Sequence, residues 1–279
     1  MSSTQPQSSA SFDVVIVGAG SAGCVLANRL TEDPALRVLL LEAGSDDSPD
    51  TMRVPAMSGS LICSEVDWNY RIERQKYYDG STIYPCGKTL GGSSSINRMI
   101  YFRGSRADYD RWSQHGGVGW DYDSVLPYFI RAESNSRLGP PLHGIDGPLH
   151  VEDRLFTHEL SHRWIDAAVC WGLPRNDDFN GISQIGAGPF QVTAHNGLRW
   201  SSADAYLRPA MTRPNLTVRV DSQATRVLFD GNKARGVAYR HDDVALQVHA
   251  DIEVILCAGA VNSPPVSYTH LTLPTILRV

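Results

Sequence analysis

Cysteine is scarce in this chain: five in 279 residues (Cys24, Cys63, Cys86, Cys170, Cys257), far apart and with no CxxC spacing. That pattern excludes a zinc ribbon and offers no disulfide framework. Free thiols with apolar flanks fit a reducing compartment, so the expected location is the cytoplasm, with peripheral attachment to the inner membrane left open. There is no run of Lys and Arg, and the formal charge of −5 comes from scattered residues of both signs. This argues against nucleic acid and against a polybasic membrane anchor. No stretch approaches the ~18 apolar residues of a transmembrane segment. No basic region precedes the first apolar run, so no secretory signal is expected. Asn215-Leu216-Thr217 is a formal glycosylation sequon that reads better as a chance triplet leading into a strand. There are no internal repeats. His158 and His162 stand one helical turn apart but lack a third ligand at a sensible spacing, so no metal site is expected.

What is present begins at Phe12. Phe12 to Val17 is a short β-branched run of the kind that forms a buried parallel strand. Gly18-Ala19-Gly20-Ser21-Ala22-Gly23 follows, then a helix from Ala22 to Leu30 ended by Asp33-Pro34, then a strand from Arg37 to Leu41 that stops at Glu42. This is a complete βαβ unit with a dinucleotide fingerprint. Gly18 suits the tight turn, Gly20 the approach of a pyrophosphate, and Gly23 the packing of helix on strand. The helix N-terminus offers free N–H groups to the diphosphate. Glu42, about 20 residues on, can accept both hydroxyls of a ribose and disfavours a 2′-phosphate.

A second Gly-rich block, Gly87-Lys88-Thr89-Leu90-Gly91-Gly92-Ser93-Ser94-Ser95-Ile96-Asn97, has the chemistry to contact a phosphate or a ring edge. Its glycines permit positive φ, its serines supply hydroxyls, and Asn97 an amide. Between the two blocks, residues 44–86 are loop-rich, as expected of a segment packed over a ligand. Residues 1–11 are expected to be disordered. Beyond 107 the pattern predicts a helix over Tyr122–Arg131, short strands at Leu149–Val151 and Phe190–Val192, and an amphipathic helix over His158–Trp171. Leu216–Val220, Ala224–Phe229, Gly236–Tyr239 and Gln247–His249 read as a meander, and Glu253–Cys257 as a further buried strand.

These blocks together resemble the glucose-methanol-choline (GMC) flavin oxidoreductases, most closely their bacterial choline and alcohol dehydrogenase branch. The likeness runs from Phe12 to Pro264. Besides both Gly-rich blocks it takes in Asp67-Trp68-Asn69-Tyr70, Tyr101-Phe102-Arg103-Gly104, His143-to-Pro148, Asp178-Phe179-Asn180-Gly181, Asn196-to-Ala203 and Gly259-to-Pro264. The resemblance implies an α/β, Rossmann-like FAD-binding fold of GMC type with part of an α+β substrate domain. In that layout residues 12–146 and 201–264 form the FAD-binding part, residues 44–86 the covering loop and 147–200 a partial substrate domain. It also implies site residues. Gly18, Gly20, Ser21, Ala22 and Gly23 would hold the pyrophosphate, and Glu42 with Ala43 the ribose. Trp68 would lie toward the adenine, which the Ala224 backbone would also touch. Gly91, Gly92, Ser93, Asn97, Arg98, Met99 and Ile100 would line the flavin, and Ala258 with Gly259 would close over the cofactor. Some relatives carry a histidine where this chain has Ile96 and link it covalently to the flavin, so FAD here is expected to be non-covalent.

The implied reaction is oxidation of a small alcohol. A histidine base takes the hydroxyl proton as hydride passes to the flavin. A quinone or carrier, or dioxygen, then reoxidises the flavin. Residues 265–279 depart from the family pattern. They are Thr-rich, contain Pro and show no helical period, and read as a non-native tail. The family's catalytic histidine lies in a C-terminal half with no counterpart here, so the chain is expected to be inactive alone. His143, His150, His158, His162, His195 and His241 could serve as a base on chemistry alone, but none lies in a family catalytic motif, and His143-Gly144 reads as turn chemistry. Two alternatives stay open: a lyase of the same fold, or a non-catalytic nucleotide-binding or NAD-dependent domain.

Overall fold

The computed structural model describes residues 11–46, 49–78, 80 and 82–271. In chain order the first elements are β1 (Ser11–Val17), α1 (Ser21–Leu30), β2 (Val38–Leu41), β3 (Tyr70–Ile72) and β4 (Thr82–Tyr84). Then come α2 (Arg106–Gln114), α3 (Tyr122–Ala132), β5 (Glu133–Asn135), β6 (Leu149–Val151), α4 (Glu159–Cys170), β7 (Ala194–His195) and β8 (Leu198–Arg199). The rest are α5 (Arg208–Ala210), β9 (Leu216–Arg219), β10 (Ser222–Asp230), β11 (Lys233–His241), β12 (Val244–Leu256) and α6 (Gly259–Leu271). The chain divides into two compact units. One is built from the segments ending at Met52, spanning Ala56–Ile96 and beginning at Ser201; the other from Arg53–Pro55 and Asn97–Trp200. The second unit thus starts at Asn97 rather than at 147.

The first unit is organised by a six-stranded sheet in the order β10-β11-β12-β1-β2-β9. β1 lies parallel to both β2 and β12, and β2 parallel to β9. Val15, Ile16, Val38, Leu39 and Leu40 are fully buried, as the continuous β-branched and leucine runs require when both faces of a parallel strand are covered. The expected meander is correct for β10, β11 and β12, which pair antiparallel in sequence. Leu216–Val220 is the exception: it becomes β9 at the opposite edge, parallel to β2. Short apolar alternation does not distinguish the two kinds of partner, and Asp221, at φ +50°, turns the chain between β9 and β10.

The two short strands expected at 247–249 and 253–257 are one strand. β12 pairs antiparallel with β11 over Val244–His249 and parallel with β1 from His249 to Leu256. Between those two stretches Asp251 is exposed and meets Arg37 at 3.3 Å. Ser11 belongs to β1 and its hydroxyl donates to Asp251, which corrects the expected disorder at that residue. Residues 1–10 lie outside the described residues. At the other end α6 runs to Leu271 with Pro264 and Pro265 inside it. The missing helical period therefore did not end the helix, and Ser267 Oγ donates to the carbonyls of Ser263 and Pro264. Residues 272–279 lie outside the described residues.

In the second unit each helix start has a visible cause. Ser105 and Asp108 form a capping box on α2, Asp121 caps α3, and His158 Nδ1 accepts from Leu160 N at 3.1 Å to cap α4. β7 and β8 join through Asn196-Gly197 at φ +53° and +76°, a type I′ turn of the residue pair that favours it. Phe190–Val192 forms no strand; Val192 makes only isolated bridges to Ile100 and Glu152.

Candidate cofactor site

Gly18 closes β1 with φ +97°, and a Cβ there would fall 2.6 Å from the Cys257 carbonyl oxygen. At Gly23 a Cβ would overlap the Gly18 carbonyl oxygen at 1.9 Å, so the helix packs on the turn only because this residue is glycine. Gly20 differs. Its φ is −73°, and a Cβ would meet nothing nearer than the Cys257 oxygen at 3.8 Å. The protein itself does not demand glycine at 20. Gly20 also caps α1 without a side-chain bond, and no acid stands in the first turn. The first-turn N–H groups of Ser21, Ala22 and Gly23 and the positive end of the helix thus have no side-chain cap, an arrangement that can accommodate an anion.

The second Gly-rich block lies against this turn, backbone to backbone. Gly91 N donates to the Ala19 carbonyl at 2.8 Å, and a Cβ on Gly92 (φ +54°) would sit 2.8 Å from Gly20 Cα. Here the structure corrects the serine reading. The hydroxyls of Ser94 and Ser95 donate within their own loop, to Gly91 O at 2.6 Å and Leu90 O at 2.7 Å. Ser93 stays exposed and accepts from Gly87 N at 3.1 Å, which leaves its hydroxyl proton available. Ile96 points away from solvent into an apolar cluster with Met52, Leu61 and Val66.

Glu42 is buried at the end of β2, 6% exposed. Its Oε2 accepts from Ala19 N at 2.8 Å and its Oε1 from Gly44 N at 2.9 Å. Burial pushes its pKa up to about 7 against the pull of the Gly44, Ala19 and Ala43 amides and, last, of Lys88. Neutral amides hold the carboxylate, and each oxygen keeps acceptor capacity for hydroxyl donors. Its own carbonyl takes Ser222 N at 2.7 Å, which ties the start of β10 to the site; Ala224 follows beside a bulge in that strand. Ala258 passes close to Gly18, its Cα 2.8 Å from where a Cβ there would stand, and Gly259 (φ +77°) begins α6.

The covering segment hangs on Asp67. Its buried carboxylate accepts from the backbone of Cys63 at 2.9 Å, Cys86 at 3.0 Å and Asn69 at 3.1 Å. Trp68 stacks on Tyr70 at 5.9 Å, Lys88 lies 5.3 Å over its ring, and Tyr70 donates to Asn262 Oδ1 at 2.5 Å.

The first unit therefore gathers Gly18–Gly23, Glu42 with Ala43, Gly91–Ser93 and Ala258; Gly259, Trp68 and Ala224 belong to the same unit. Asn97, Arg98, Met99 and Ile100 belong to the second unit. There Met99 packs with Val192 and Ala194, and its carbonyl accepts Thr193 N at 2.8 Å. Two features escaped the sequence reading. Arg199 is buried in β8 and bonded to Asn97. His143 is no mere turn residue: its ring nitrogens lie 3.0 Å from Glu133 and 3.0 Å from Asp178, in a buried cluster that includes Arg103. An acid and a base far apart in sequence leave no local pattern that could have revealed that cluster.

Residues 12–267 match the sequence model of the GMC oxidoreductase family. The chain is 45% identical over 262 residues to the mitochondrial choline dehydrogenase of Mus musculus, covering 91% of this chain and 44% of that protein. To the alcohol dehydrogenase [acceptor] of Pseudomonas putida it is 44% identical over 258 residues, covering 91% and 47%. Among solved structures, pyridoxine 4-oxidase from Mesorbium loti superposes with a TM-score of 0.88 at 36% identity, over 91% of this chain and 51% of that one. The chain thus spans about half the length of the relatives it matches. With the match running from the first strand into the last helix, this chain belongs to the GMC oxidoreductase family.

Proposed function

We propose that this chain binds FAD non-covalently and forms the cofactor-holding part of an enzyme that oxidises a small alcohol to a carbonyl. One observation carries the reading: a buried carboxylate, Glu42, held only by neutral amides beside a glycine turn whose central residue, Gly20, is kept bare for no reason internal to the protein. A ribose diol on Glu42 and a diphosphate on the Ser21–Gly23 amides answer both features. The mitochondrial choline dehydrogenase and the alcohol dehydrogenase among its relatives supply the substrate class.

When bound, FAD supplies the ring nitrogen that accepts a hydride from the carbinol carbon. The protein's part is to bind and orient. The amides at the α1 N-terminus would take the diphosphate charge and Glu42 would fix the ribose, while the family resemblance assigns Asn97 to Ile100 to the ring. Ile96 supports non-covalent attachment, since its aliphatic side chain is packed among Met52, Leu61 and Val66 and has no nucleophile. No histidine of this chain is assigned as the base: His143 is fixed between two carboxylates and His158 caps a helix. The reaction further requires an acceptor to reoxidise the flavin: a quinone, a carrier or dioxygen. Among the described residues no helix is long and apolar enough to cross a membrane.

The test is an absorption spectrum of the purified chain before and after acid precipitation. Flavin bands that move to the supernatant are the expected result. Flavin retained in the pellet would overturn the non-covalent reading, and a folded protein that stays colourless after incubation with FAD would overturn the cofactor assignment. Alcohol turnover by this chain alone would overturn its assignment as the cofactor-holding part.

A further inference from the structure

Asn97 is exposed, yet its side chain is tightly held. Oδ1 accepts two hydrogen bonds, from Met99 N at 2.9 Å and from Arg199 Nη1 at 2.9 Å. Arg199 Nη2 donates to the Asn97 backbone carbonyl at 2.8 Å. Two N–H donors converging on one terminal atom identify it as the oxygen, because an amide nitrogen cannot accept either bond. The amide's two faces are therefore settled: the oxygen points into the protein, and the NH2 group is turned outward with both hydrogens available.

The device that does this is expensive. Arg199 is 2% exposed and ranks among the largest fully buried side chains of the chain. It is carried on β8, whose partner β7 is joined to it by the Asn196-Gly197 turn. That turn is itself pinned, since Glu152 accepts from Asn196 N at 3.1 Å and Gly197 N at 2.7 Å. Met99 lies at φ +59°, a conformation L-residues rarely adopt, and its N–H, two residues on from Asn97, donates to the same oxygen. A buried guanidinium and a local backbone N–H both hold the oxygen of one exposed amide, which fixes that amide's direction.

We propose that Arg199 is a positioning residue that fixes Asn97 as a hydrogen-bond donor to the flavin ring. The inference rests on the FAD reading above. Reduction places negative charge on the ring, and a pre-oriented donor backed by a buried cation stabilises it without reorganisation. The donor should therefore raise the midpoint potential of the bound flavin.

The experiment measures that potential by equilibration with a reference dye in the full chain loaded with FAD, together with flavin stoichiometry and thermal midpoint. Asn97→Asp keeps an oxygen for Arg199 and Met99 but removes the outward donor. Its expected effect is a tenfold or larger shift toward the oxidised form, about 30 mV for a two-electron couple. Arg199→Lys keeps the charge but loses the two-pronged grip, and should shift the potential in the same direction at unchanged stoichiometry. In an Asn97→Ala background, Arg199→Lys should add nothing further. If the lysine variant does not fold, Arg199→Gln, which retains one N–H donor, takes its place. An unmoved potential in Asn97→Asp, a fall in thermal midpoint alone in the Arg199 variant, or additive effects in the double variant would each overturn the proposal while leaving FAD binding intact. A wild-type chain that takes up no flavin overturns the FAD reading and this proposal with it.

Discussion

Two buried carboxylates, one in each unit, show opposite solutions to the same problem. Glu133, fully buried, has Arg103 at 2.6 Å, His143 at 3.0 Å, the Asn135 amide at 2.8 Å and Gly144 N at 3.2 Å. Burial alone would raise its pKa, but His143, Asn135 and Arg103 hold it below the usual carboxylate value. Glu42, nearly as buried, has amides and the distant field of Lys88, and rises to about 7. A buried charge with all its partners inside the protein is architecture. Glu42, supplied with neutral donors beside a turn kept clear of side chains, is the carboxylate we assign to a ligand. That difference, more than the glycine count, separates the cofactor site from the structural centre.

The glycine turn gives the largest expected effect. Gly23→Ala forces a Cβ onto the Gly18 carbonyl, backbone against backbone, with no flexible atom to yield. The first unit should fail to fold, read as loss of a cooperative transition. Gly20→Ala should fold normally, because only ordinary van der Waals contact awaits its Cβ. It should instead lose FAD affinity by a hundredfold or so, about 2.7 kcal/mol. Equal destabilisation of both variants would remove the argument that Gly20 is reserved for a ligand.

Next comes the ion cluster. Arg103→Met leaves Glu133 buried without its guanidinium and should destabilise the second unit by about 3–5 kcal/mol in urea unfolding. Arg103 also donates to the Leu142 carbonyl at 2.8 Å, while its Nε has no partner, so the carboxylate contact is the strong one. A loss under about 1 kcal/mol, the range of an exposed pair, would mean that the cluster is not the structural centre described here.

How much of this was legible in the sequence follows from how local each feature is. The βαβ unit was readable because strand, turn, helix and acid follow one another, and the strand ends fell within a residue of β1 and β2. The second Gly-rich block was readable as a ligand loop. That its serines would be spent on Gly91 and Leu90 was not, because a hydroxyl's partner depends on the loop's path. β9 was misplaced because four residues of alternating pattern carry no information about their neighbour. α6 was not legible because the run after Pro264 is Thr-rich, contains Pro and shows no helical period, although the helix continues to Leu271. Arg199 is legible only as part of the Asn196-to-Ala203 block, since a guanidinium reaching from residue 199 to residue 97 has no signature in either segment.

Glu42→Gln probes the first carboxylate directly. The carboxyl is near 4.5 when unfolded and about 7 in the fold, so the folded state holds its proton longer. Its contribution to stability is full below pH 4.5 and is lost as pH rises to about 7. Glutamine should flatten that stretch of the unfolding curve without FAD. Cofactor affinity should run the other way in the wild type, rising as pH passes 7 because an ionised carboxylate is the better acceptor for the ribose hydroxyls. In the variant it should be at least tenfold weaker and flat in pH. An unchanged profile would detach Glu42 from the cofactor.

His143 offers the smallest effect and the sharpest contrast with Glu42. Burial lowers its pKa, but the carboxylates of Glu133 and Asp178, one on each ring nitrogen, outweigh it and hold the imidazolium above the ordinary value of 6.5. Both nitrogens must donate in that arrangement, so the charged form is the one the fold prefers. Its stabilising contribution is complete below pH 6.5 and declines as pH rises through the elevated folded value, so its window opens near the upper end of the one assigned to Glu42. His143→Gln should remove this upper slope and leave the lower one, while Glu42→Gln should do the reverse. A flat wild-type curve above pH 6.5, or a His143→Gln variant that keeps the slope, would show that the ring is neutral and that one of the two carboxylate contacts is not a charged hydrogen bond.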